Sequence, residues 1–66
     1  MGYNVVLKRG AKEVLNFWVN CFSCAESAIY QHLKDNRSNQ GEILDTNSGD
    51  LRHYFWLGDK LNVSIL

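Results

Sequence analysis

The fold is decided by the stretch Val14-Leu15-Asn16-Phe17-Trp18-Val19-Asn20-Cys21. We interpret this stretch as a strand, in which successive side chains point to opposite faces. One face then carries Leu15, Phe17, Val19 and Cys21, and the other carries Val14 and Trp18. Because a small protein rarely hides both faces of such a strand, the segment predicts a sheet with a second, adhesive face.

A shorter alternating segment precedes this strand. Between Tyr3 and Lys8, the side chains of Tyr3, Val5 and Leu7 alternate with those of Asn4, Val6 and Lys8. Gly10 follows and supplies the positive φ that a tight hairpin requires. The second strand then runs from about Glu13 to Cys21. We therefore predict a β-hairpin at the beginning of the chain.

A helix is predicted after the hairpin. The sequence Ser23-Cys24-Ala25-Glu26 matches a capping box, in which Ser and Glu satisfy each other's orphan amides, so we expect the helix to begin at Cys24. A buried stripe at helical spacing would contain Ala25, Ala28, Ile29, His32 and Leu33. The polar segment 36–41 ends the helix.

Three further strands complete the prediction. Segment 42–47 is a short strand in which either Ile43 or Leu44 points inward, and the sequence leaves that register open. Segment 51–57 alternates on two faces, and segment 60–65 places its apolar residues on one face. The predicted order is ββαβββ, a single α+β domain over residues 1–66 with a mainly antiparallel sheet and one amphipathic helix packed on one face.

The two faces of the predicted sheet differ in what covers them. Beneath the helix we expect Leu7, Leu15, Phe17, Val19, Phe55, Val63 and Ile65. The other face would carry Val6, Val14, Trp18, Tyr54 and Trp56. Monomers seldom leave a contiguous apolar patch of more than a few hundred Å² open to water, so this face predicts a partner.

Composition narrows the class of protein. The chain has 66 residues, with seven basic and seven acidic side chains that cancel. Zero net charge provides no field toward a polyanion or a lipid surface, which disfavours nucleic acid and membrane partners. The beginning of the chain has no secretory pattern, so we expect a cytoplasmic protein. The two cysteines are then expected to be reduced thiols rather than a disulfide framework.

Cys21-Phe22-Ser23-Cys24 is a Cys-x-x-Cys motif at a junction between strand and helix. A helix N-terminus stabilises a thiolate, as redox dithiols require. The predicted capping box, however, leaves Cys21 on the strand and outside the helix, and the chain has no proline to provide a cis-proline. We therefore favour ordinary half-buried thiols, with redox activity and metal binding left open.

Metal and catalytic sites are not predicted. Zinc would need four ligands such as Cys21, Cys24, His32 and His53, but the histidines lack the close spacing of a zinc pair. No carboxylates or histidines form a recognised acid–base pattern, and the glycines do not cluster to hold a phosphate. The sequence predicts a protein without enzymatic activity, cofactor or metal.

The order of elements resembles that of a known group of proteins. The features concerned are the hairpin with Phe17-Trp18, the helix with Glu26-Ser27-Ala28 and the strand that opens with Gly41-Glu42-Ile43. Over residues 3–47 this architecture resembles the small host-RNA-polymerase inhibitors of T7-like phages, and phage host-takeover proteins more broadly. The resemblance implies an inhibitor that binds a large host enzyme through a strand edge and a charged surface, in the host cytoplasm.

We therefore expect a non-enzymatic module that docks onto another protein. Its predicted anchors are Trp18, Tyr54 and Trp56 with Arg52 beside them, since aromatic residues and arginine dominate interface hot spots. One alternative is binding of single-stranded nucleic acid, in which the same aromatic rings stack on bases. Another is a homodimer formed through a sheet edge or the aromatic face.

Overall fold

The computed structural model describes residues 2–65 and contains five strands and one helix in the predicted order. The elements are β1 (Tyr3–Arg9), β2 (Lys12–Val19), α1 (Phe22–Lys34), β3 (Gln40–Asp45), β4 (Leu51–Leu57) and β5 (Lys60–Ile65). Each pair of neighbouring strands is antiparallel, and all five form one sheet. The predicted α+β class is confirmed.

The sheet has the strand order β2-β1-β3-β4-β5, so β2 and β5 form its two edges. Since β1 is antiparallel to both β2 and β3, these two strands run parallel to each other with β1 between them. The helix α1 connects them across one face, which makes β2-α1-β3 a split βαβ unit. One edge strand, β2, therefore precedes this crossover in the chain, and the other, β5, follows it.

The hairpin contains a β-bulge near its turn. Leu7 pairs with Leu15, whereas the next residue, Lys8, pairs with Glu13. Val14 is therefore the extra residue of β2, and a bulge of this kind bends its strand and increases the local twist. At the turn itself, Gly10 has φ +66, the positive value predicted for it.

The core lies between α1 and the centre of the sheet. Its buried apolar residues are Val5, Leu7, Ala25, Ile29, Leu33, Ile43 and Tyr54. Gly41 lies beneath the helix, where a Cβ atom would approach Ile29 Cγ2 to 2.9 Å. Ile43 is the inward residue of β3, while Leu44 points to the opposite face, which resolves the register that the sequence left open.

The predicted faces of β4 are wrong for three residues. Tyr54 pairs with Gly41, and Trp56 pairs with Leu61, so both lie on the helix side of the sheet. Phe55 pairs with Gln40 and points to the opposite face. Both faces of this strand alternate aromatic with other side chains, so its own pattern could not fix which face packs on the helix. The burial of Tyr54 in the core shows which face of β4 packs on the helix.

The predicted helix start is also wrong. The helix begins at Phe22, and Cys21 is its N-cap residue with extended backbone and no side-chain capping bond. Ser23 and Glu26 therefore both lie inside the helix, and Glu26 accepts a hydrogen bond from Tyr54 instead of capping. The predicted stripe holds, since Ala25, Ile29 and Leu33 are its buried members.

The face opposite the helix carries more polar than apolar side chains. Lys8 forms an ion pair with Glu42 at 3.4 Å, and His53 Nε2 lies 3.0 Å from Gln40 Oε1 on neighbouring strands. The apolar residues that share this face are Val6, Trp18, Leu44, Leu51, Phe55 and Leu57. Within residues 2–65, no helix is long and apolar enough to cross a membrane.

Candidate functional site

The four predicted anchor residues do not share one surface. Trp18 lies on the polar face of the edge strand β2, where its side chain pairs with Asn4 and is 57% exposed. Its indole ring lies against Gly2, because a Cβ atom at Gly2 would overlap the ring. Trp18 is therefore isolated from Arg52, Tyr54 and Trp56, which lie on the helix side.

Tyr54 is a core residue and only 2% exposed. Its hydroxyl donates a hydrogen bond of 2.9 Å to Glu26 Oε2 on the helix. Burial, and then the hydrogen bond to the Glu26 carboxylate, raise the pKa of the Tyr54 phenol. Tyr54 thus supports the surface above it but has no accessible ring with which to contact a partner.

Trp56 lies at the side of the helix, half-buried next to Tyr30. The two ring centroids are 5.9 Å apart with the planes tilted by 54°. Leu61 of β5 pairs with Trp56, and Leu61 also lines an open groove of about 390 Å³ together with Tyr30 and neighbouring polar residues of α1. An aromatic pair therefore begins an apolar surface that continues onto β5.

We name this surface the β5 shelf. It consists of Tyr30, Trp56, Leu61, Val63 and Ile65. Val63 and Ile65 lie on the helix side but are 51% and 69% exposed. They remain open because α1 lies mainly over β1 and β3. A helix is about 10–12 Å wide and strands are about 4.8 Å apart, so one helix cannot cover five strands.

Two cations flank the β5 shelf. Lys34 Nζ lies 5.7 Å from the centre of the Tyr30 ring at one end. At the other end, the Arg52 guanidinium lies 4.9 Å from the centre of the Phe22 ring, and Arg52 pairs with Ile65. Neither cation takes part in an ion pair within the part of the chain that the structure describes. The surface thus combines exposed apolar side chains with two positive ends.

Sequence reasoning identified only Trp56 of this shelf and placed Arg52 beside it. It assigned Val63 and Ile65 to the floor under the helix, and their exposure corrects that part of the prediction. The signal that could have found them is the number of strands, since a single helix of this size leaves the outer strands of a five-stranded sheet uncovered. Tyr30 carried no signal of its own in the sequence.

A second cluster lies at the beginning of α1. The Sγ atom of Cys21 is 3.1 Å from Ser23 Oγ, and Cys24 lies three positions further along the chain, in the first turn of the helix. The Ser23 hydroxyl, the Cys24 thiol and the backbone amides at the helix start lower the pKa of Cys21 to about 7. The contact with Cys21 raises the pKa of Cys24. The two thiols therefore differ in acidity although they lie side by side.

The residues weighed as zinc ligands are not gathered at this cluster. His53 lies on the opposite face of the sheet, next to Gln40. Among residues 2–65, no three side chains of His, Cys, Asp or Glu are grouped as a metal site would need.

The fold and these surfaces define a small α+β domain with a split βαβ unit, a five-stranded antiparallel sheet and one uncovered edge region. Comparison of the chain with protein-family models, with curated proteins and with solved structures finds no match.

Proposed function

We propose that the protein is a non-enzymatic module that binds an extended segment of another protein along β5. The segment adds as a sixth strand to the sheet and lays alternate side chains on the β5 shelf. In this mode, hydrogen bonds between main chains provide affinity, and pockets for every second side chain provide specificity.

The observation that carries the proposal is the exposure of Val63 and Ile65 on a regular edge strand. β5 pairs with β4 along its whole length without a register shift, and its other side faces no strand. An edge of this kind presents unpaired backbone groups to an added strand. Burial of each of these side chains would contribute less than the roughly 1.5–3 kcal/mol of a fully exposed one, because both are already partly buried.

The charges of the shelf specify the chemistry of the partner. Arg52 and Lys34 lie at its two ends, and neither is neutralised by an ion pair within residues 2–65. A segment with apolar residues at alternate positions and a carboxylate near each end would complement this pattern. Such charges contribute mainly to the association rate and to orientation.

The direction of regulation that we propose comes from the resemblance to small phage inhibitors. Those proteins bind a large host enzyme through a strand edge. The resemblance covers residues 3–47 and does not extend to β5, so our choice of the β5 edge comes from its exposed side chains alone. We therefore propose that the protein acts as an inhibitor or regulator of a host protein. The positions that bind would be those of the β5 shelf rather than Trp18.

A displayed library of random peptides, selected on the wild-type protein, tests this proposal. We expect the selected peptides to carry alternating apolar residues and acidic ends. Their affinity should fall at least about tenfold with Val63→Asp, because a charge would be buried without a partner. Val14→Asp on the opposite edge is the matched control and should leave the affinity unchanged.

Two outcomes would contradict the proposal. If the peptides lose affinity with Trp18→Ala but not with Val63→Asp, the binding surface is the polar face. If light scattering over a tenfold concentration range finds a stable dimer that Val63→Asp dissociates, a second copy occupies β5 instead of a foreign segment.

The three aromatic residues that were predicted to stack on nucleic acid bases do not share one surface. Trp18 lies on one face of the sheet, Trp56 lies on the other, and Tyr54 is buried. Lys8 on the polar face is paired with Glu42, and Lys60 on that face lies at the sheet edge opposite to Trp18. Binding of a single-stranded oligonucleotide that weakens steeply with salt would favour this alternative over protein docking.

A further inference from the structure

We propose that Cys21 and Cys24 form a redox-active dithiol that exchanges with small organic disulfides, with Cys21 as the attacking sulfur and Cys24 as the resolving sulfur. This inference is independent of the β5 shelf. It reverses the expectation of ordinary thiols, because the helix start on which that expectation depended differs from the predicted one.

The position of the motif on the helix is the first argument. Cys21 is the N-cap residue and Cys24 lies within the first turn, with the Ala25 amide bonded to the Cys21 carbonyl at 3.1 Å. The unpaired amides and the positive end of the helix dipole therefore lie beside Cys21, whose side chain makes no capping bond. This is the arrangement in which a Cys-x-x-Cys motif stabilises a thiolate.

The contacts of the two sulfur atoms are the second argument. Ser23 Oγ lies 3.1 Å from Cys21 Sγ, a distance at which the hydroxyl can donate a hydrogen bond to a thiolate. No disulfide joins them, and Cys21 is half-buried while Cys24 is exposed, so a small reagent can reach the pair. The Ser23 hydroxyl thus favours the Cys21 thiolate, whereas the pKa of the Cys24 thiol is raised, so that this thiol stays protonated until it attacks.

The exchange balances in atoms and electrons. The Cys21 thiolate attacks one sulfur of a disulfide RSSR, so that a Cys21–SR bond forms and RS⁻ leaves. The Cys24 sulfur then attacks Cys21, the intramolecular disulfide forms, and a second RS⁻ leaves. Two protein thiols lose two electrons, RSSR gains them, and the two thiol protons end on two molecules of RSH.

The charged groups around this end of α1 are Arg52, Asp45 and Glu26. Arg52 lies over Phe22. The backbone amide of Asn47 above all, and Arg52 to a smaller extent, lower the pKa of the Asp45 carboxyl, away from neutral pH. Glu26, one turn further along, accepts the Tyr54 hydroxyl. A transition near pH 7 in thiol reactivity would therefore report Cys21.

Oxidised glutathione is the probe, and mass spectrometry after acid quenching is the measurement. We expect the wild-type protein to lose two hydrogen atoms and to accumulate little mixed disulfide. The Cys24→Ser variant should stop at a glutathione adduct on Cys21. The Cys21→Ser variant should react at least about threefold more slowly at pH 7, since a larger thiolate fraction outweighs the lower nucleophilicity of a more acidic thiol.

A pH profile of alkylation separates an activated thiol from a merely exposed one. In the Cys24→Ser variant a hydroxyl replaces the Cys24 thiol, and the midpoint of Cys21 should lie below the value of about 8.5 of an ordinary thiol. Adding Ser23→Ala should raise the midpoint further, because the hydroxyl donor is removed. Ser27→Ala, which changes an exposed serine of the same helix, is the matched control and should not move it.

Three results would overturn the proposal. These are an ordinary midpoint for Cys21, equal rates for the wild type and the Cys21→Ser variant, and two independent glutathione adducts with no internal disulfide. Circular dichroism establishes that each variant is folded. If Cys24→Ser is not folded, Cys24→Ala replaces it as the trap for the adduct.

Discussion

The Tyr54 hydroxyl donates a hydrogen bond of 2.9 Å to Glu26, and this contact joins β4 to α1 at the edge of the core. The bond spans 28 positions of the chain and fixes which face of β4 is turned toward the helix. Trp56 and Arg52, two positions away on either side, therefore lie on the same side as the β5 shelf. One polar contact thus determines which side chains of this strand are available to a partner.

Tyr54→Phe tests this contact through its effect on pH dependence. The pKa of Tyr54 is raised by burial and by Glu26, so its native pKa exceeds the unfolded value of about 10. The unfolded state loses its proton first, and the stability that this group provides is present below about pH 10 and is lost as the pH rises. We expect urea unfolding to show a shallower alkaline loss of stability in the variant. Equal slopes would contradict this assignment.

Gly41→Ala should destabilise the fold by about 1–3 kcal/mol, because the new methyl group overlaps Ile29 in a packed core. The nearest atoms would be three carbons of that side chain, at 2.9–3.1 Å. A double-mutant cycle with Ile29→Ala checks the cause by urea unfolding. The cost of Gly41→Ala should be smaller in the Ile29→Ala background, and an unchanged cost would place the effect elsewhere.

Ser38→Ala should preserve or increase stability, by up to about 1 kcal/mol. Ser38 is 1% exposed, and its hydroxyl has no hydrogen-bond partner among residues 2–65. Removing an unpaired buried hydroxyl relieves a desolvation cost. Ser48→Ala is the control, since Ser48 Oγ accepts the Asp50 amide at 3.3 Å and its loss should destabilise slightly. Thermal unfolding that finds Ser38→Ala less stable would reveal an unseen partner.

Trp18→Ala and Trp56→Ala should differ in their cost to stability. Trp56 is half-buried against Tyr30, so we expect a loss of about 2–3 kcal/mol, below that of a fully buried tryptophan. Trp18 is 57% exposed, and its loss should cost about 1 kcal/mol. In single-tryptophan variants, acrylamide should quench Trp18 more strongly than Trp56. Equal costs and equal quenching would contradict the placement of these rings on opposite faces.

The element order was predictable from the sequence because turn residues and apolar alternation are local signals. The first hairpin illustrates this, since Gly10 and the alternation from Tyr3 to Lys8 are enough to define it. The face of β4 was not predictable, because both of its faces carry aromatic side chains. Tyr54 is placed by Glu26, a residue far away in sequence.

The candidate sites, too, were only partly predictable from the sequence. The Ser23 and Glu26 spacing predicted a cap, yet both residues form other contacts, so the helix begins at Phe22 and includes Cys24. The Cys-x-x-Cys motif itself is visible in the sequence, but its position relative to the helix start depends on tertiary contacts. The β5 shelf depends on the width of one helix against five strands, which no local pattern reports.

The bulge at Val14 has a consequence for growth of the sheet. A domain with two regular edges can add copies at both ends and polymerise without limit. Here β2 is interrupted by its extra residue, while β5 is regular. Strand addition at β5 alone ends after a single event, because the new edge strand of the sheet belongs to the partner. An uncovered strand can therefore persist on this protein as a recognition surface without seeding a fibre.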